Sequence, residues 1–314
     1  MLWSYPDGET QGGFINSTSG IFTPDPSSLM VLDNASGLYR TPDKPFLFGT
    51  GDADGSALVA ASYDLSQHRW LPVPRQYVSP DGTAYAYSAT QPGSGHGVHV
   101  VNVATGNDRL VPSTAVISGD QANYLVVAYL QDGVYMSRFG NGPRPGLWRL
   151  DPGSGSIHQV STDALQGALL GNAPLANPPS SGNPVAWWSE VTADFSASDP
   201  HVYFQYLTGV AGQHGETWFE RPGFRINVMG VDSTGQAIVV AESKSQVEIW
   251  LLAESSSKPI FTGANYGDTA LPFKTAVADA PGWWIGSRNG VFYATTSSFT
   301  QVSETAAVVV GGCG

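Results

Sequence analysis

A strand–turn–strand pattern recurs along almost the whole chain, and no other feature restricts the fold as strongly. In its clearest copy, β-forming residues stop at residues 79–82 (SPDG) and resume as the alternating run 84–87 (AYAY). A second run, 98–103, turns at 104–107 and returns through 109–111. Alternating β-branched and aromatic residues between clusters of Gly, Pro, Asn and Asp are typical of strands joined by tight turns. The pattern predicts an all-β chain.

Seven such hairpins can be traced along the sequence. Their turns fall near residues 34, 65, 105, 153, 209, 255 and 297. The steps average about 45 residues, within the period of roughly 40–50 that a four-stranded propeller blade requires. We therefore predict that residues 1–314 form a single domain, a seven-bladed β-propeller. A six-bladed ring with an N-terminal extension is the alternative, because the first step is short.

The two ends of the chain are predicted to share one blade. The first hairpin, residues 30–39, has too little chain before it to supply its own inner strands. At the other end, residues 305–310 (TAAVVV) are apolar and β-branched, and no neighbouring segment pairs with them. We expect this C-terminal strand to join the N-terminal hairpin, with residues 1–27 and 305–314 contributing to the closing blade. Closure would cover sheet edges that otherwise favour aggregation.

Two segments resemble known propeller repeats. Residues 77–82 (YVSPDG), followed by 84–87 (AYAY), are similar to the repeat of TolB-type, WD40-like propellers, whose blades carry an SPDG turn before an apolar strand. Residues 282–293 (GWWIGSRNGVFY) resemble the W-I-G-T-x-x-G-L-Y repeat of regulator-type sensor propellers. The resemblance implies a propeller, and it indicates architecture rather than one activity. A sensor domain cut from a larger chain is a further interpretation that rests on the second segment alone.

The charge balance excludes some partners. The chain has 26 acidic and 14 basic residues, a net charge of −12, and no basic stripe that could neutralise phosphates. Nucleic acid and anionic membrane surfaces are therefore not expected partners. No apolar run approaches the ~18–20 residues of a membrane helix. The low charged fraction, 13%, is typical of exported bacterial domains. We expect an extracellular or periplasmic monomer whose leader peptide is not part of the chain.

The single cysteine and the carboxylates give few signs of a cofactor. Cys313 cannot form an internal disulfide, so stability must come from packing and ring closure. Asp52 and Asp54, followed by Gly55, are the best calcium candidates, because Ca²⁺ takes six to eight oxygen ligands. However, no later acidic ligand follows until Asp64, and a simple Asp-Gly turn is the favoured interpretation. No other cofactor is predicted.

Tryptophan doublets and long loops indicate where a ligand could bind. Adjacent residues on a strand face opposite sides, so the doublets Trp187-Trp188 and Trp283-Trp284 should pack between neighbouring blades. The alternative places one indole at a channel mouth or loop, where it could stack on a sugar or anchor a protein. Two long irregular stretches, 171–184 and 209–216, insert into the blade that contains the first doublet. The candidate ligand-binding residues are Trp187, Trp188, Glu190, His201 and His214.

The function predicted from these features is binding. No G-x-S-x-G nucleophile elbow and no metal-ligand spacing of histidines is present. We expect an exported, non-catalytic propeller that recognises a protein or glycan partner through one loop-rich face. The alternative is a propeller enzyme, a hydrolase or lyase acting on a polysaccharide or lactone, whose residues converge at the central channel. Since each blade of such an enzyme contributes one residue, the absence of a local motif is weak evidence against it.

Overall fold

A computed structural model provides the structure of the chain. It describes residues 2–4, 11–28, 31–33, 38–40, 62–71, 73–89, 97–112, 123–139, 146–162, 175–176, 178, 182–189, 201–207, 215–252, 259–264, 275–287 and 289–311. The only helices in these ranges are the 3-10 turns Pro26–Ser28 and Arg75–Tyr77. The described chain is thus nearly all-β, as predicted.

Twenty-seven strands lie in the described ranges. They are β1 (Leu2–Ser4), β2 (Gln11–Ile15), β3 (Phe22–Pro24), β4 (Val31–Asp33), β5 (Leu38–Arg40), β6 (Ser62–Asp64), β7 (Arg69–Leu71), β8 (Ala84–Ala89), β9 (Gly97–Asn102), β10 (Asp108–Pro112), β11 (Asn123–Leu130), β12 (Gly133–Phe139), β13 (Gly146–Leu150), β14 (Ile157–Ser161), β15 (Leu175–Ala176), β16 (Val185–Trp188), β17 (His201–Tyr206), β18 (Glu216–Glu220), β19 (Arg225–Val231), β20 (Ala237–Glu242), β21 (Gln246–Leu252), β22 (Phe261–Ala264), β23 (Thr275–Asp279), β24 (Gly282–Ser287), β25 (Gly290–Ala294), β26 (Phe299–Ser303) and β27 (Ala307–Val309).

The strands form two compact units. The first comprises Met1–Arg75 and Asp268–Gly314, and the second comprises Gln76–Gly267. The first unit holds the four-stranded sheets β27-β1-β2-β3 and β23–β26, with the two-stranded pairs β4–β5 and β6–β7. The second holds the three-stranded sheet β8–β10 and the four-stranded sheets β11–β14, β15–β18 and β19–β22. All pairings between these strands are antiparallel. Each joins two strands adjacent in sequence, except for the pairing of β27 with β1. Repeated four-stranded meanders of this kind support a β-propeller.

The chain ends pair within the first unit, as the sequence predicted. Strand β27 runs antiparallel to β1, with Leu2 opposite Val309 and Ser4 opposite Ala307. However, the expectation that the C-terminal strand joins the hairpin at residues 30–39 was wrong. That hairpin is the separate pair β4–β5, and the closing sheet takes its other three strands from β1, β2 and β3. The chain before residue 30 therefore supplies more strands than the hairpin count assigned to it.

The SPDG segment in the second unit is a tight turn built around Asp81. Its carboxylate accepts hydrogen bonds from Ser79 Oγ (2.6 Å), Thr83 N (3.0 Å) and Thr83 Oγ1 (2.9 Å). These bonds, the one from the Ser79 hydroxyl first, lower the pKa of Asp81 below its usual 3.8. Gly82 takes the positive φ of 71° that the turn requires. Asp81 thus serves its own turn, as predicted.

One predicted loop contains a strand. Residues 171–184 were expected to be irregular because Gly, Pro and Ser dominate them, yet Leu175–Ala176 forms β15 and pairs with β16. Two residues are enough to complete the sheet because both side chains are buried against their neighbours. No helix in the described ranges is long and apolar enough to cross a membrane.

Candidate functional site

Only part of the predicted site can be placed. Trp187 and Trp188 lie at the end of β16, and His201 begins β17. Glu190 and His214 lie outside the described residues, as do the predicted calcium ligands Asp52 and Asp54. Within the described ranges, no group of three His, Cys, Asp or Glu side chains could hold a metal ion.

The first tryptophan doublet is buried on both faces of its sheet, as predicted for a packing role. Trp187 is 2% exposed and packs in the cluster shared with β19–β21, and its Nε1 donates to Gly235 O at 2.9 Å. Trp188 is 4% exposed and packs on the opposite side, in the cluster shared with β11–β14. Neither indole offers an open face. In the second doublet Trp283 is buried, whereas Trp284 is only partly buried.

Trp188 and His201 lie on the same face of the sheet, and the ring of Tyr203 contacts both. The ring of Tyr203 stacks on Trp188 with a centroid distance of 5.8 Å, and its other neighbour is His201 at 6.1 Å. His201 Nε2 lies 3.7 Å from Glu220 Oε1 on β18. Trp187 is on the other face, so the structure does not bring the two predicted indoles and His201 into one site.

Two exposed aromatic residues that sequence reasoning missed lie on the Trp187 side. Tyr206, at the end of β17, is 51% exposed, and Trp218 on β18 is 38% exposed. Both rings flank the buried Phe204, at centroid distances of 4.9 Å for Tyr206 and 5.0 Å for Trp218. Trp187 supports Trp218 from below, edge-on at 5.6 Å. We call Tyr206 and Trp218, with Phe204 beneath them, the aromatic surface.

A β-bulge creates this arrangement. The register of β17 and β18 shifts between Val202 and Tyr203, so that Trp218 has no residue opposite it. A bulge of this kind turns two successive side chains toward one face. Accordingly Trp218 contacts Phe204, while the next residue, Phe219, packs on Trp250 of β21 at 5.0 Å. The charged ends of the run 216–220 (ETWFE) were the available signal that this strand is exposed.

Beyond Phe219 the same strand leads into an ion pair between a partly exposed arginine, Arg221, and a buried carboxylate, Glu248. Glu248 is 2% exposed and accepts two hydrogen bonds from Arg221, at 2.9 and 2.6 Å. Trp250 Nε1 and Gln246 Nε2 donate to the same carboxylate at 3.0 and 2.9 Å. The hydrogen bonds from Arg221 lower the pKa of Glu248 below its usual 4.5, despite burial. Four donors satisfy the carboxylate, so its role is structural.

A second polar cluster lies on the sheet β8–β10. His99 Nδ1 is 2.7 Å from one oxygen of Asp108, and Tyr87 donates its hydroxyl to the other oxygen at 2.8 Å. The Tyr87 and His99 rings stack at 4.5 Å. Since a carboxylate only accepts, His99 Nδ1 is the donor in this hydrogen bond. Burial, with the Asp108 carboxylate second, raises the pKa of Tyr87 above 10.0. The cluster could hold a histidine base in a fixed orientation.

The first unit contains a polar groove of about 590 Å³. It lies between the β2–β3 turn and the segment from β26 to β27, where Ser303 Oγ donates to Gly20 O at 2.6 Å. Its lining is Ser19, Gly20, Gln301, Val302, Ser303, Glu304 and Thr305. Because the lining holds one carboxylate and no aromatic ring, the aromatic surface is the stronger candidate site.

Comparison with known proteins finds similar solved structures but no similar sequence family. No protein-family model matches the chain, and no curated protein is significantly similar to it. Among solved structures, an oligogalacturonate lyase in complex with manganese has 11% identity and a TM-score of 0.48, over 78% of this chain and 70% of that chain. The structure of the Dos1 propeller has 12% identity and a TM-score of 0.40, over 80% of this chain and 65% of that chain.

A prolyl endopeptidase has 12% identity and a TM-score of 0.47, over 77% of this chain. The match covers 36% of the endopeptidase, so this chain spans little more than a third of that protein's length. None of these similarities is strong enough to assign an activity.

Proposed function

We propose that this protein is an exported, seven-bladed β-propeller that binds a glycan through the aromatic surface without catalysing a reaction. Export is inferred from the composition, which is rich in small polar residues and low in charge. A protein partner is the other class of ligand that the sequence predicts, and the experiment below separates the two.

The order of the sheets along the chain supports seven blades. Five sheets have four strands, and the sheet β8–β10 gains a fourth contact through the bridge between Val78 and Tyr85. Between the closing sheet and this one lie the pairs β4–β5 and β6–β7, which together supply the four strands of one further blade. The turns near residues 34 and 65 would then belong to a single blade. This grouping accounts for the short first step in the repeat.

The aromatic surface is the observation that carries the proposed function. Five large apolar side chains are exposed in the described ranges, and the two aromatic ones among them lie on neighbouring strands around one buried ring. Single exposed apolar residues are normal on a protein surface, whereas adjacent ones mark interaction sites. Tyr and Trp also dominate the energetics of binding sites. Their ring faces suit the apolar faces of pyranose rings.

Two features favour a glycan over a protein. A stable protein interface needs about 800 Å² on each partner, and two half-exposed rings provide a small part of that area. Strand β18 is the edge of its sheet, but Glu216 and Glu220 are exposed along it. Charged residues on an edge strand oppose the addition of a further peptide strand. A short oligosaccharide can stack on the rings without using the strand edge.

The test is a glycan array followed by calorimetry with the best oligosaccharide. We expect Trp218→Ala and Tyr206→Ala each to weaken binding about tenfold or more, as expected for central aromatic contacts. Leu110→Ala, which removes an exposed apolar side chain on β10, is the matched control and should leave the affinity unchanged. An array without glycan binding, or full binding by both aromatic variants, would contradict the proposal.

An enzyme is the second candidate, and one observation supports it. The pair formed by His99 and Asp108 has the orientation of a general base held by a carboxylate. Its substrate would be a polysaccharide or lactone, as predicted from the sequence. If incubation with the array glycans gives cleavage products that His99→Ala abolishes, the protein is an enzyme and the non-catalytic proposal is wrong.

A further inference from the structure

The aromatic surface has a one-sided charge environment. Glu216 lies directly opposite Phe204 in the register of β17 and β18. Directly paired residues project from the same face of a sheet, so the carboxylate of Glu216 is on the face that carries Tyr206 and Trp218. Glu216 is exposed and makes no ion pair with any residue in the described part of the chain.

The cations close to this face in sequence are already paired. Arg221 forms the two-bond pair with Glu248, and Arg225 contacts Glu242 at 3.1 Å. Neither of these two arginines is free to offset the repulsion between the Glu216 carboxylate and a uronic acid or sulfated sugar. The chain as a whole, at −12, also repels polyanions.

A carboxylate beside exposed aromatic rings is a favourable site for a positive group. An ammonium over the face of Trp or Tyr is attracted by the ring quadrupole. A charge-assisted hydrogen bond from the same ammonium to a carboxylate is shorter and stronger than a neutral one. Glu216 with Trp218 and Tyr206 can supply both interactions to one ligand, whereas a neutral sugar would use the rings alone.

We propose that the ligand is an amine-bearing glycan, and that Glu216 selects its protonated amine while the rings stack on the sugar. This inference rests on the proposed glycan-binding function. It assigns the ligand a chemical class, oligosaccharides of unsubstituted amino sugars, and it assigns Glu216 a role in specificity.

The test compares three hexasaccharides by calorimetry at low salt, at a pH at which the amine is protonated. They are the glucosamine oligomer, its N-acetylated counterpart and an oligogalacturonate. We expect the free amine to bind at least tenfold more tightly than the acetylated oligomer, and the oligogalacturonate to bind least. Raising the salt concentration should narrow the difference, because exposed charges are screened.

Two glutamine variants separate the role of Glu216 from general surface charge. Glu216→Gln should lower the preference for the free amine at least fivefold. Glu220→Gln is the matched control, since Glu220 lies on the same strand but opposite His201, on the other face. It removes the same charge and should leave the preference unchanged.

The outcomes distinguish this inference from the proposed function. Equal binding of the free and acetylated oligomers, lost in Trp218→Ala, keeps glycan binding and overturns the selection of an amine. Tighter binding of the oligogalacturonate overturns the charge argument as well. If no hexasaccharide binds while another glycan on the array does, the selection of an amine is wrong and glycan binding stands. If only a lysine-rich peptide binds, both the inference and the glycan-binding function are wrong.

Discussion

The two ends of strand β18 show opposite uses of aromatic residues. At the end that leads to Arg221, Phe219 packs on Trp250, which is 8% exposed and donates to the buried Glu248. On the side toward Glu216, the central residue Trp218 is 38% exposed, and Tyr206, which contacts the same Phe204 ring, is 51% exposed. Trp218 lies on β18, the edge strand of its sheet, whereas Trp250 lies on β21, an interior strand of the sheet β19–β22 in the same unit. The first end is closed against the next sheet, and the second end is open.

Because neighbouring residues of β18 differ in exposure, the exposure of Trp218 does not follow simply from its place on an edge strand. Where β18 closes on its neighbour, every polar atom of the Glu248 carboxylate has a donor and the rings are covered. The same strand leaves Trp218 exposed, although the next residue, Phe219, is partly buried. Since Trp218 is 38% exposed, the burial it gives up costs on the order of 1 kcal/mol, which the proposed glycan would recover by covering the ring.

The largest effect is expected from breaking the closed end. Glu248→Ala leaves the buried Trp250 Nε1 without its acceptor, and Arg221, whose side chain is 38% exposed, loses its partner but stays hydrated; the free energy of unfolding should fall by about 2–3 kcal/mol. Urea denaturation followed by tryptophan fluorescence measures the change. The control is Glu242→Ala, which breaks the surface pair with Arg225 and should cost less than about 1 kcal/mol. Equal losses in the two variants would contradict the structural role of Glu248.

A smaller effect is expected from the support beneath the open end. Trp187→Phe removes the hydrogen bond to Gly235 O and part of the indole on which Trp218 rests. We expect the free energy of unfolding to fall by about 1–2 kcal/mol. Because Trp218 itself remains, glycan affinity should fall much less than in Trp218→Ala. An affinity loss as large as that of Trp218→Ala would contradict a purely supporting role for Trp187.

Local patterns predicted the repeated parts of the fold well. The SPDG turn could be predicted because the carboxylate of Asp81 satisfies amide and hydroxyl donors within its own segment. The pairing of the chain ends could be predicted because residues 305–310 are too apolar to remain unpaired. The burial of Trp187 and Trp188 followed from strand alternation in a sheet with packed neighbours on both faces.

The candidate site depended on features that alternation does not encode. The bulge opposite Val202 changes which face Trp218 occupies, and a one-residue shift leaves no mark in the sequence. The 51% exposure of Tyr206 is a tertiary property, which local alternation does not predict. Likewise, two-residue strand β15 lies in a segment rich in Gly and Pro, where local propensity argues against a strand.

The smallest effect is expected in the pH dependence of the free energy of unfolding, to which the closed end should contribute through Glu248. Hydrogen bonds from Arg221 hold the pKa of Glu248 below 4.5, so this carboxylate binds a proton less readily in the folded state than in the unfolded state. Its contribution to stability is therefore fully present above pH 4.5 and is lost as the pH falls through the lower, folded pKa.

In Glu248→Gln, which cannot titrate, the free energy of unfolding should fall less steeply with acidification below pH 4.5 than in the wild type. Trp218→Ala, at the open end, removes no titratable group and should keep the wild-type slope. Denaturant unfolding at a series of acidic pH values measures both, and parallel curves for Glu248→Gln and the wild type would show that the closed end does not depend on this charge.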